Sequence, residues 1–127
     1  MAEELTGKKI LLVDDDRDIL AAMQVALADL GLEIFTATDG DDAVKQAQST
    51  QPDVVVLDMM LPKRSGFLVM ENLKKGKKKS DPPRIIMITG NQGSRHKTYA
   101  ESLGVAAYLN KPFRMEKLIE TVKKLLG

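Results

Sequence analysis

Four short apolar runs punctuate the chain: Ile10-Leu11-Leu12-Val13, Val54-Val55-Val56-Leu57, Ile85-Ile86-Met87-Ile88 and Ala106-Ala107-Tyr108-Leu109. Each is continuous rather than alternating, the pattern of a strand covered on both faces in a parallel sheet. The β-branched residues of the first three favour strand over helix. A fifth segment, Glu33–Ala37, is polar enough to predict an edge strand.

Between these runs apolar residues return at helical spacing. Ile19, Met23, Leu27 and Leu30 make one stripe, with Asp16 placed to cap its start and Gly31 to end it. Ala43, Gln46 and Ala47 belong to a shorter helix that stops before Pro52, and Phe67, Met70 and Leu73 mark a third. Ser94–Ser102 predicts a fourth, weakly anchored helix ended by Gly104, on which His96 reads as exposed surface. Met115, Leu118, Ile119, Val122, Leu125 and Leu126 predict the last and clearest amphipathic helix. The alternation βαβαβαβαβα calls for a doubly wound α/β fold, a five-stranded parallel sheet with helices on both faces and right-handed crossovers. Residues 74–83, with five lysines and a Pro pair, predict an exposed loop that reads as ordinary solvated surface, with a docking site for an acidic partner as the alternative reading.

A chain of 127 residues predicts a single domain over 1–127, with its packed core at about 8–126 and no output domain. The absence of cysteine excludes disulfides and thiolate metal sites and fits a reducing compartment. No apolar run approaches the ~20 residues that span a bilayer, and the start lacks the pattern of a signal peptide, so a cytoplasmic protein without membrane insertion is expected. Charge is uneven: residues 1–60 hold 13 acids and 4 bases, residues 61–127 hold 5 acids and 15 bases. The basic half carries few aromatics, so direct nucleic-acid binding is not expected.

In open parallel sheets ligands gather beyond the carboxyl ends of the strands. Asp14, Asp15 and Asp16 follow the first apolar run, Asp58 the second, Thr89 the third and Lys111-Pro112 the fourth. Singly, each reads as a turn residue, a cap or a surface charge. Together they change the picture. With the first and third strands adjacent, Asp14, Asp15 and Asp58 converge, and carboxylates ~4 Å apart repel by ~4 kcal/mol per pair at an effective dielectric near 20. A hard divalent cation such as Mg2+ suits such oxygens. Phosphoryl transfer uses this set: a cation, the Lys111 ammonium and the Thr89 hydroxyl can each take one oxygen of the transferred group, with Asp58 as nucleophile.

These residues resemble the receiver domains of two-component response regulators over nearly the whole chain. The resemblance rests on Val13-Asp14-Asp15-Asp16, on Asp58-Met59-Met60-Leu61-Pro62 with Gly66 eight residues past the Asp, on Thr89-Gly90 and on Lys111-Pro112-Phe113. It implies strand order 2-1-3-4-5 and a phosphoacceptor signalling switch: Asp58 takes a phosphoryl group, with magnesium, from a histidine kinase or histidine phosphotransfer protein. Such a domain catalyses only its own phosphorylation and dephosphorylation and is not an enzyme on an outside substrate. By the same resemblance Asp15 and Asp58 ligate the metal directly, Asp14 through water and Met60 through its backbone carbonyl. Lys111 precedes a cis bond to Pro112, Thr89 and Tyr108 are switch residues, and Met60 and Asn91 set the phosphate lifetime. The output is a protein target bound through the fourth helix, fifth strand and fifth helix, and a phosphorylation-dependent dimer is a further expectation. The rival readings are a non-phosphorylated docking module of the same fold and a flavin or nucleotide binder. The second finds neither GxGxxG nor GxxxxGK[ST] here.

Overall fold

The computed structural model describes residues 5–90 and 94–127. The elements, in chain order, are β1 Lys9–Val13, α1 Arg17–Leu27, a 3-10 turn Ala28–Leu30, β2 Glu33–Ala37, α2 Gly40–Thr50, β3 Val54–Asp58, α3 Gly66–Lys74, β4 Arg84–Thr89, α4 Ser94–Ser102, β5 Ala107–Asn110 and α5 Met115–Leu126. All pairings are parallel and the strand order is β2-β1-β3-β4-β5, as expected.

The continuous apolar runs are explained by the two layers they feed. Successive side chains of a strand point to opposite faces. Ile10, Leu12, Val54, Val56, Ile86 and Ile88 accordingly pack with Leu20, Met23 and Leu27 of α1 and Leu118 and Val122 of α5. Their neighbours Leu11, Val13, Val55, Leu57, Ile85 and Met87 pack with Ala43 and Ala47 of α2, Val69, Met70 and Leu73 of α3, and Ala100 of α4. Leu5, ahead of β1, adds to the first layer and donates its N–H to the Leu30 carbonyl at 2.8 Å. Asp16 caps α1 as expected, accepting from the N–H groups of Asp18 and Ile19. Gly31 takes the left-handed conformation (φ +80°) that ends the segment.

Three expectations need correction. β5 is shifted by one residue from the apolar run and, at the edge where the expected strand order puts it, has only Leu109 buried. The polar α4 supplies a single buried side chain, Ala100, among its described residues, too little to cover a strand on that side. His96 is not bare surface: its ring stacks on Phe67 with centroids 6.0 Å apart, and Tyr99 meets the same ring edge-on at 4.9 Å. The aromatic trio ties α4 to the start of α3. Lys74 does not belong to the exposed loop. It closes α3 at 5 % exposure, and its ammonium donates to the backbone carbonyls of Asp81 (2.6 Å), Pro83 (3.2 Å) and Lys79 (3.5 Å). Burial pulls its pKa down, and the Asp81 carboxylate works in the opposite direction.

Candidate functional site at the carboxyl edge of the sheet

Because the strands are parallel, the residues that follow them collect at one rim. Asp58 ends β3 opposite Ile88 of β4, and the next peptide stays in register, Met59 N–H donating to the Ile88 carbonyl at 2.9 Å. The chain then folds back on itself through Gly66, whose N–H donates to the Met59 carbonyl at 2.9 Å. A side chain at Gly66 would overlap the Asp58 carbonyl oxygen and come within 2.8 Å of Met59 Cα, so only glycine lets the loop close over Asp58. Gly40 has the same role in a place the motifs did not mark. Its N–H donates to the Pro62 carbonyl at 3.1 Å, and a Cβ there would overlap the Arg64 backbone. Between them Lys63 holds φ +68° and pairs with Asp39 at 3.6 Å.

Asp14, directly after β1, is fully buried, and Asp58 is 4 % exposed. Asp15 is exposed. One carboxylate oxygen from each of the three lies within 4.8 Å of the others. Asp14 Oδ1 accepts the Asp16 N–H at 2.9 Å, and Asp58 Oδ1 accepts the Met60 N–H at 3.1 Å. Lys111 reaches in from the end of β5, its Nζ 3.2 Å from Asp58 Oδ2 and 3.2 Å from Asp14 Oδ2. The first contact is a hydrogen bond. The second is an ion pair without hydrogen-bond alignment, which leaves Asp14 Oδ2 a buried acceptor with no donor aimed at it.

The electrostatics follow from this crowding. Burial, and next the charge of Asp14, push the Asp58 pKa from 3.8 to about 6, against the downward pull of the Met60 N–H and Lys111. Burial works to lower the Lys111 pKa, but Asp58 and Asp14 outweigh it and the net shift is upward. Three carboxylates and one ammonium leave the cluster two negative charges in excess when all are ionised. An all-oxygen donor set with an under-donated buried oxygen fits a hard divalent cation.

Thr89 ends β4, fully buried, and its hydroxyl donates to Met59 Sδ at 3.6 Å. Its carbonyl accepts the Lys111 N–H at 2.7 Å, which ties β4 to the Lys111-Pro112 corner, where the peptide is cis as expected. Tyr108 is half-buried, and its hydroxyl is enclosed without a well-aligned hydrogen bond. Burial pushes its pKa up, and the nearby Thr89 hydroxyl offsets part of that. The Met60 side chain is 70 % exposed at the rim of the cluster. Asn91 lies outside the described residues.

Comparison with known proteins puts this geometry in context. Residues 10–123 match the response regulator receiver domain family. The chain is 37 % identical over 120 residues to the alkaline phosphatase synthesis transcriptional regulatory protein PhoP of Bacillus subtilis, covering 94 % of this chain and 49 % of that protein. It is also 37 % identical over 123 residues to a probable transcriptional regulator, ycf27, of Cyanophora paradoxa, covering 97 % and 50 %. The chain thus spans about half the length of the curated relatives it matches. Among solved structures, the chemotaxis response regulator CheY4 of Vibrio cholerae superposes with a TM-score of 0.84 at 31 % identity, covering 95 % of this chain and all of that one.

Proposed function

This chain belongs to the response regulator receiver domain family, and we propose that it is a phosphoacceptor switch in which Asp58 accepts a phosphoryl group from a phosphohistidine. The observation that carries this reading is the convergence of Asp14, Asp15 and Asp58 within 4.8 Å, with the Lys111 ammonium 3.2 Å from both Asp58 and Asp14.

Asp14, Asp15, Asp58 and the Met60 carbonyl would hold Mg2+, which when bound supplies the two positive charges the cluster lacks. The chain's own residues do the rest. An Asp58 carboxylate oxygen attacks phosphorus, the P–N bond breaks, and the electron pair leaves with the histidine nitrogen, which takes a proton. Lys111 stays beside the new aspartyl phosphate and neutralises one of its oxygens. The Thr89 hydroxyl turns from Met59 Sδ toward another oxygen, and the Tyr108 side chain repacks into the space this opens. That repacking alters the face of α4, β5 and α5 to which a protein target binds. The domain acts on no outside substrate, and its reaction partners are a histidine kinase or phosphotransfer protein.

The surface beside Asp58 supports such a donor. Residues 19–28 contain no charged side chain, although Ala21, Ala22 and Val25 are exposed, Val25 at 77 %. An apolar cleft of about 320 Å3 lined by Ile19, Pro112, Phe113 and Met115 adjoins this helix and Lys111. A helical donor that buries these residues would carry its phosphohistidine to the rim.

The test is intact-mass analysis after incubation with acetyl phosphate and magnesium. Wild type gains one phosphoryl group, hydroxylamine removes it as expected of an acyl phosphate, and Asp58→Asn gains none. Equal uptake by Asp58→Asn would assign the acceptor elsewhere.

A further inference from the structure

The loop that joins α3 to β4 lies at the amino-terminal edge of the sheet, the rim opposite Asp58. Its lysines are of two kinds. Lys74 is buried in its cage of three carbonyls, whereas Lys75, Lys77, Lys78 and Lys79 are exposed. Further bonds set the loop's conformation: Lys77 N–H to the Lys74 carbonyl at 2.9 Å, Asp81 N–H to the Lys78 carbonyl at 3.0 Å, and Lys78 N–H to the Asp81 carboxylate at 2.8 Å. Asp81 is the one acid of the segment, and the loop uses it internally.

Burying an ammonium is costly, and a merely solvated charge run has no need of such an anchor. The anchor and these bonds order the backbone that carries the remaining lysines. They do not stand alone. A groove of about 870 Å3 runs from the loop along α3 toward the end of α4, lined among others by Arg64, Leu68, Glu71, Lys75, Lys77 and Leu103. Three of these are cations and one is an acid; Arg64 also pairs with Asp41 at 3.2 Å, so Lys75 and Lys77 carry most of the available charge. Leu68 is 53 % exposed, an apolar side chain standing among charges.

We propose that this groove and the lysine loop form a docking surface for an acidic amphipathic protein segment, whose carboxylates meet Arg64, Lys75 and Lys77 and whose apolar side chains cover Leu68 and Leu103. Charge complementarity selects the sign of the partner, and the two leucines select a protein segment over a plain polyanion. The groove lies along α3 and is lined by none of Asp14, Asp15, Asp58 and Lys111.

The test titrates the 15N-labelled full chain with a synthetic helical peptide carrying leucine on one face and glutamate on the other. Amide shifts are expected to concentrate on Leu68, Asn72, Lys75, Lys77 and Leu103. Affinity should fall about ten-fold in the Lys75→Glu/Lys77→Glu double variant and several-fold in Leu68→Ser, with both spectra otherwise native. The proposal is overturned if the peptide does not bind, or if shifts spread over remote lysines such as Lys8 and Lys124. It is equally overturned if Leu68→Ser binds unchanged while duplex DNA or anionic phospholipid vesicles shift the same amides, because the surface would then be a polyanion sink.

Discussion

Replacing Asp58 by asparagine should stabilise the protein, by an amount that grows with pH. The folded Asp58 titrates near 6, raised first by burial and then by Asp14, whereas the unfolded carboxyl titrates near 3.8. Between those values the folded state keeps a proton that the unfolded chain has released, so stability falls as pH rises through this window. Above it the whole cost of ionising Asp58 is carried. At 1.36 kcal/mol per pKa unit this cost is about 1.5 kcal/mol at about pH 5 and about 3 kcal/mol at about pH 8. Asparagine is neutral at both, and Lys111 keeps its 3.2 Å contact with Asp14, so the variant does not leave the ammonium unpaired. Urea unfolding of both proteins in EDTA, followed by circular dichroism across that pH range, reads the effect. Packing differences between the two side chains are constant with pH and cancel. What remains is a widening of the gap by about 1.5 kcal/mol from about pH 5 to about pH 8. Millimolar magnesium should then narrow the gap at high pH by binding folded wild type more tightly than the variant. A gap that stays flat or shrinks as pH rises would refute burial as the dominant influence on Asp58.

Lys74→Met keeps the length of the side chain but leaves three carbonyls without their donor. It should cost about 2–3 kcal/mol in urea unfolding and speed amide exchange in residues 77–83, whereas unchanged exchange would mean the cage orders nothing. Gly66→Ala drives a methyl group into the Asp58 and Met59 backbone, so it should lose at least ~2 kcal/mol and slow phosphorylation by acetyl phosphate, and a variant with wild-type rates would show the loop can yield. Met60→Asn puts a hydrogen-bonding group where an exposed thioether cannot guide water, so the aspartyl phosphate should decay faster. A half-life no shorter than that of wild type would count against this role.

The sheet was legible because unbroken apolar runs rich in β-branched residues favour buried strands, and because each chemistry-bearing residue sits just past such a run. The convergence of Asp14, Asp15 and Asp58 then needed only the adjacency of β1 and β3, which the resemblance to receiver domains supplies. What escaped was whatever depends on a partner distant in the chain. Lys74 looked like the first lysine of a solvated run because its three acceptors return only through the closure of residues 79–83. A weaker signal was present: Lys74 lies four residues after Met70 and next to Leu73, on the inward stripe of α3. His96 was read as surface because Phe67, the ring it stacks on, sits on another helix. Nothing in the sequence marks Gly40, since the Arg64 backbone that crowds it belongs to a different loop. The covering of β5 was overestimated because its apolar letters say nothing of whether the helix beside it has apolar residues to offer.

The alternation of the strands carries one more consequence. Val54 and Val56 face the α1 and α5 side, and Asp58 continues that series, whereas Ile85, Met87 and Thr89 look the other way, toward the side where Tyr108 also packs. The sheet is therefore a partition, and at its carboxyl rim residues belonging to the two rooms come side by side. On the proposed reading a donor entering from the α1 room finds Asp58 without touching Thr89 or Tyr108. Substitutions at those two positions should change what the loaded domain says while leaving untouched the identity of whoever loads it.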